Sequence, residues 1–161
     1  MTEAFPDAVV GEPVLGVALK SIRRLRRLTA AETATLMNIS PSAYERFENG
    51  ETKLNLEYVH RFARVTKTDY YAIVVALIIG KADFALYSAG NQFASILTNG
   101  LHDLARDAGA DLAALSTRDI LEIVTPMFEA LAAKAREMRA LQVEIDAASA
   151  RLDASRPPPG R

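Results

Sequence analysis

The chain is 161 residues long and 50% hydrophobic, with 19 Lys and Arg against 20 Asp and Glu for a formal net charge of −1. It has no cysteine, which excludes a disulfide framework and a thiolate metal site; nothing in it resembles a signal peptide, and its length suits one small domain plus a second helical element. A near-neutral total argues against a nucleic-acid partner, but residues 14–68 hold ten Lys and Arg against five Glu, or +5, while the remainder holds nine against fifteen, or −6.

The first thirteen residues carry Glu3, Asp7 and Glu12 and no base, so a flexible segment is expected at 1–13 rather than an arm for the minor groove. Lys20, Arg23, Arg24, Arg26 and Arg27 then crowd one helix. The run from Thr29 to Gly50 follows. Thr29 and Glu32 have the spacing of a capping box, which predicts a helix start. Ala34 is the small residue needed where two helices cross steeply, and Asn38 stands where a turn requires positive φ, which asparagine tolerates. Ile39 points back to the core, Ser40 caps a second helix, Pro41 suits its first position, and Gly50 closes it after about Asn49. These are the steric elements of a DNA-reading helix-turn-helix.

Arg61, Arg64 and Lys67 lie together on a further helix. The apolar stretch Tyr70 to Ile79, capped by Asp69 and stopped by Gly80, is far shorter than the roughly twenty residues needed to cross a bilayer. It predicts a buried helix whose cover exceeds what a DNA-binding domain supplies, from the C-terminal region or a second copy. A short helix is expected over 82–88 and an amphipathic one from about Asn91 to Ala108, weakened at Gly100 and ended at Gly109. Ser116 and Asp119 form another capping pattern, after which Val124, Leu131, Met138, Ile145 and Leu152 hold one heptad seam position. Ile120, Met127, Leu141 and Ala148 hold the other, with Lys134 as the polar intruder. A helix from Thr117 to Ala154 would be about 57 Å long, kinked or restarted at Pro126. The proline-rich end, residues 155–161, reads as a disordered tail.

The segment from about Leu15 to Ala76 resembles the XRE, or lambda-repressor-like, helix-turn-helix domains of bacteria and their phages. The resemblance rests on Leu15-Gly16, Leu19, Ile22 and Arg23, on Leu28-Thr29, on Ser40, on Phe47-Glu48-Asn49-Gly50, and on Leu56 to Ala63 as a fourth helix. It implies an inward structural ion pair between Arg23 and Glu48, phosphate contacts at Asn49 and Lys53, and a groove-facing third helix. Ala30 replaces the glutamine that usually touches a phosphate, and Pro41, Ser42 and Ala43 make no bidentate base contact. Arg46 is left as the long donor on the reading side, suited to guanine O6 and N7, with Ser42 able to add one hydrogen bond. Tyr44 occupies a slot usually aliphatic, so its ring belongs to the core and its hydroxyl alone is available to DNA. Arg24 and Arg27 are either phosphate contacts or a solvated face, and Arg27 replaces a frequent glycine and is a candidate for the turn.

The fold expected is all-α: a lambda-repressor-like helix-turn-helix domain over 14–80, then a helical dimerisation or interaction region over 81–154 with a long coiled-coil-like helix. His60 and His102 have no ligand-spaced partners, so neither catalysis nor a metal or other cofactor is expected. The reading is a cytoplasmic regulator, nucleoid-associated when bound, that binds double-stranded DNA sequence-specifically as a homodimer and, by the habit of the resembled family, represses transcription. The alternative is an antitoxin or adaptor whose C-terminal helices bind a protein partner.

Overall fold

A computed structural model describes residues 12–154. The expected flexible segment at 1–13, apart from its last two residues, and the expected disordered tail at 155–161 lie outside the described residues. All the regular structure described is helical: α1 (Glu12–Leu25), α2 (Ala30–Leu36), α3 (Pro41–Glu48), α4 (Leu56–Thr66), α5 (Tyr70–Ile79), α6 (Ala82–Tyr87), α7 (Phe93–Ala108), a 3-10 segment (Gly109–Ala114) and α8 (Thr117–Ala154). Because α1 begins at Glu12, the N-terminal boundary moves forward from residue 13.

The helix ends follow from local chemistry. The Thr29 hydroxyl accepts from the Glu32 amide at 3.2 Å, and the Glu32 carboxylate accepts from the Thr29 amide at 2.8 Å. Those Thr29 groups, the backbone amide first, hold the Glu32 carboxyl below its ordinary range, so the cap is complete at neutral pH. Asn38 turns the chain at φ 55°, Ser40 caps α3 by accepting from the Ala43 amide, and Pro41 opens the helix. Asn55 caps α4 and Lys67 ends it in the left-handed conformation; Asp69 caps α5 and Gly80 ends it at φ 66°.

The chain divides into two units, one ending at Asp107 and one beginning at Ala108. In the first, Leu15, Leu19 and Ile22 of α1 form a core with Tyr44 and Phe47 of α3, Phe62 of α4, Ile73 and Leu77 of α5, and Ala85 of α6. The expected domain limit at residue 80 is corrected by this packing. After Gly80 the chain reverses, α6 lies against α1 and α5, and the Asp69 amide donates to the Ala89 carbonyl at 3.0 Å. Asp69 then accepts from the amide and hydroxyl of Ser95 at 2.9 and 2.6 Å, fastening α7 to the start of α5. The cover that α5 requires therefore comes from α1, α4 and α6, although Tyr71, Ile78 and Ile79 stay exposed.

In the second unit, Ser116 and Asp119 make the reciprocal cap read from their spacing, and α8 runs for 38 residues. It continues through Pro126 without a restart. Ile120, Met127, Leu131, Met138, Leu141 and Ile145 are exposed along it.

One close approach fixes α1 on α3. A Cβ on Gly16 would lie 2.6 Å from the Glu48 carbonyl oxygen, a backbone atom with no freedom to yield. Alanine gains about 1 kcal/mol over glycine in a helix interior, but forced overpacking costs about 1–3 kcal/mol. Gly16→Ala is therefore expected to destabilise the domain by up to about 2 kcal/mol, read by thermal or denaturant unfolding. A raised melting temperature would show that the two helices separate freely.

Candidate nucleic-acid interface

The α2–α3 turn is tight because its backbone groups find partners within it. The Asn38 amide donates to the Thr35 carbonyl at 3.0 Å and the Ile39 amide to the Ala34 carbonyl at 3.1 Å, while Ala34 is fully buried at the crossing. Ile39 packs against the core, as its position requires.

The helix α3 has two faces. Tyr44, Phe47 and Glu48 are buried, and Phe47 meets the Tyr44 and Tyr58 rings edge-on at centroid distances of 6.4 and 5.5 Å. Arg23 grips the Glu48 carboxylate with two prongs, Nε at 2.7 Å and Nη2 at 3.1 Å, and its Nη1 donates to the Leu28 carbonyl at 3.0 Å. This is the inward pair that the family resemblance implies, and Glu48 holds the Arg23 guanidinium above its ordinary range. The opposite face presents Ser42, Glu45, Arg46 and Asn49 to solvent.

Tyr44 requires a correction. It is wholly buried, ring and hydroxyl together, and the hydroxyl donates to Glu48 Oε1 at 2.9 Å. Burial first, then the Glu48 charge, pushes the phenol well above its usual range. Tyr44 therefore supports the ion pair and leaves the candidate contact residues. Glu45 joins the exposed face as a candidate, missed in the sequence although it stands three residues after Ser42 on the same face.

The other candidates stand on separate elements. Asn49 follows α3 and reaches Glu51 at 3.4 Å, and Lys53 is exposed in the loop before α4. Arg24 is exposed at the end of α1, and exposed Arg27 occupies the turn at φ 56°, the place a glycine often fills. Arg26 is drawn into the structure instead, its Nη2 donating to the Lys67 carbonyl at 3.1 Å while its buried Nε finds no partner. Arg61 pairs with Glu57, and His60 is exposed with its ring edge against Tyr70. His102 is exposed on α7.

Residues 14–70 match the family model of a helix-turn-helix domain. That segment is a helix-turn-helix domain, the module whose second motif helix enters the DNA major groove. The crystal structure of the clp gene regulator ClgR from Corynebacterium glutamicum is similar at a TM-score of 0.41 and 21% identity, over 64% of this chain and 94% of that one. No curated protein matches the chain. Among the described residues, no helix is long and apolar enough to cross a membrane.

The ion pair separates architecture from recognition. Glu48→Ala strands a largely buried guanidinium and is expected to cost about 3–5 kcal/mol of stability, with DNA affinity falling only as the folded fraction falls. Tyr44→Phe is expected to cost about 0.5–1.5 kcal/mol and leave affinity unchanged. Unfolding curves beside fluorescence binding titrations test both; intact stability with a selective binding defect would move either residue into the interface.

Proposed function

We propose that this protein is a sequence-specific double-stranded DNA-binding transcriptional regulator, a repressor that binds as a homodimer. The observation that carries the reading is α3 itself, an N-capped helix whose inner face is locked into the core and whose outer face presents Ser42, Glu45, Arg46 and Asn49. Arg46 reads guanine through O6 and N7, Ser42 adds a single hydrogen bond, and the Glu45 carboxylate can accept from cytosine N4. Asn49, Lys53, Arg24 and Arg27 hold phosphates, which set orientation and register without reading sequence. The homodimer follows from the exposed apolar seam of α8, and two copies address two half-sites about one helical turn apart. The repressor role follows the habit of the family that residues 15–76 resemble. The reading places the protein in the cytoplasm, on the nucleoid when bound, and assigns it no catalysis and no cofactor.

A second reading, an antitoxin or adaptor that engages another protein through α8, draws on the same seam and on the poverty of donors at Pro41, Ser42 and Ala43. Footprinting of purified full-length protein across the source genome separates the two: a shared palindromic site supports the regulator, and its absence overturns it. On such a site, Arg46→Ala is expected to weaken binding by about 1–3 kcal/mol while barely changing affinity for random duplex. Equal losses on both would make Arg46 a phosphate contact.

A further inference from the structure

We propose that α8 pairs with α8 of a second copy in the antiparallel sense, centred near Arg136, so that Lys134 lies opposite the partner's Met138 and beside the partner's Glu137. The proposal rests on the homodimer reading and specifies its geometry. Along α8, Val124, Leu131, Met138 and Ile145 occupy one seam position, and Ile120, Met127, Lys134, Leu141 and Ala148 occupy the other. Pro126 falls outside the seam, so the Glu122 carbonyl that loses its amide partner does so away from the pairing face.

The helix spans Thr117 to Ala154, so a reversed copy covers its whole length only if the two cross near residue 136. In that register Val124 meets the partner's Ala148, Met127 meets the partner's Ile145, and Leu131 meets the partner's Leu141. Sliding by one heptad either way uncovers seam residues at one end.

The charges choose the direction. Lys134 Nζ already lies 2.9 Å from Glu137 Oε1 of its own chain. Reversed pairing brings Glu137 across from the partner's Glu137, and each of these carboxylates lies beside Lys134 of its own chain and of the partner, so the two lysines and two glutamates form one neutral junction. Parallel pairing in register instead puts Lys134 against the partner's Lys134 in a core layer, with each Glu137 on the flank facing the partner's Gln142. Parallel pairing does bring Ile123 to the partner's Phe128. In the reversed sense those residues lie along the aliphatic stems of the partner's Arg151 and Gln142, so the apolar difference is small and the like-charge layer decides.

The cysteine-free sequence makes the test direct. Full-length Leu131→Cys, full-length Leu141→Cys, their equilibrated mixture and the double variant are oxidised and run without reductant. Positions 131 and 141 are about 15 Å apart along one helix, too far for an internal bridge. The expected result is a species of twice the chain mass in the mixture and in the double variant, and none in either single variant. Cross-linking of the single variants would establish parallel pairing and overturn the proposal. No cross-linking in any sample, with a dimer still present in sedimentation equilibrium, would overturn it while leaving the homodimer reading intact. A monomer in sedimentation would remove both.

Discussion

A carboxylate buried at the end of the reading helix sets the geometry of the helix-turn-helix domain. Taking a carboxylate out of water costs several kcal/mol, recovered only if geometry is good and the remaining lone pairs find donors. Glu48 meets that condition with two prongs from Arg23 and the Tyr44 hydroxyl. Lysine in place of Arg23 would supply a point charge and lose the fork that aligns with both oxygens. Glu48 is also approached at its main chain, since Gly16 of α1 leaves room for the carbonyl. With Tyr44, Phe47 and Glu48 held inward, helical periodicity leaves Ser42, Glu45, Arg46 and Asn49 as the outward face. The outward face of α3 is thus oriented by residues that do not belong to it.

Much of this was legible because the signals are local. The Thr29–Glu32 box, the left-handed Asn38, the Ser40–Pro41 start and the Asp69 and Gly80 ends are each satisfied within a few residues. Tyr44 is half legible: its slot points inward, but the acceptor that takes its hydroxyl is Glu48, one turn along the same face, and not DNA. The domain limit failed for a different reason. The α6 helix has six residues, too few for periodicity to show a buried face, and Asp69 and Ser95 are 26 positions apart. The α7 anchor exists only once α6 has folded back, so no window of sequence contains it.

Charge counting also reads differently once partners are known. Residues 14–68 carry +5, yet Arg23 is spent on Glu48, Arg26 on the Lys67 carbonyl and Arg61 on Glu57. Lys20, Arg24, Arg27, Arg46, Lys53, Arg64 and Lys67 make no ion pair with another described residue. Each phosphate that such cations neutralise steepens the logarithmic salt dependence by about 0.9, so under the proposed DNA binding the salt slope counts how many of them reach the duplex. Arg26 has a different use: it satisfies a carbonyl at the end of α4, where the helix dipole favours a cation.

Under the proposed homodimer, the shortness of α3 explains why the second unit matters to the first. With Pro41 and Ala43 lacking suitable side-chain donors, direct reading by one copy would rest chiefly on Arg46 in the proposed mode, and a good bidentate contact discriminates by about 1–3 kcal/mol. A genome offers about 10⁶–10⁹ competing sites, and 3 kcal/mol corresponds to little more than a factor of about 10². Joining two copies lets a second half-site multiply that factor, because the second reading helix is already held near the duplex when the first engages. Under the proposed homodimer, the α8 seam is therefore as much a part of sequence recognition as Arg46, although it touches no base.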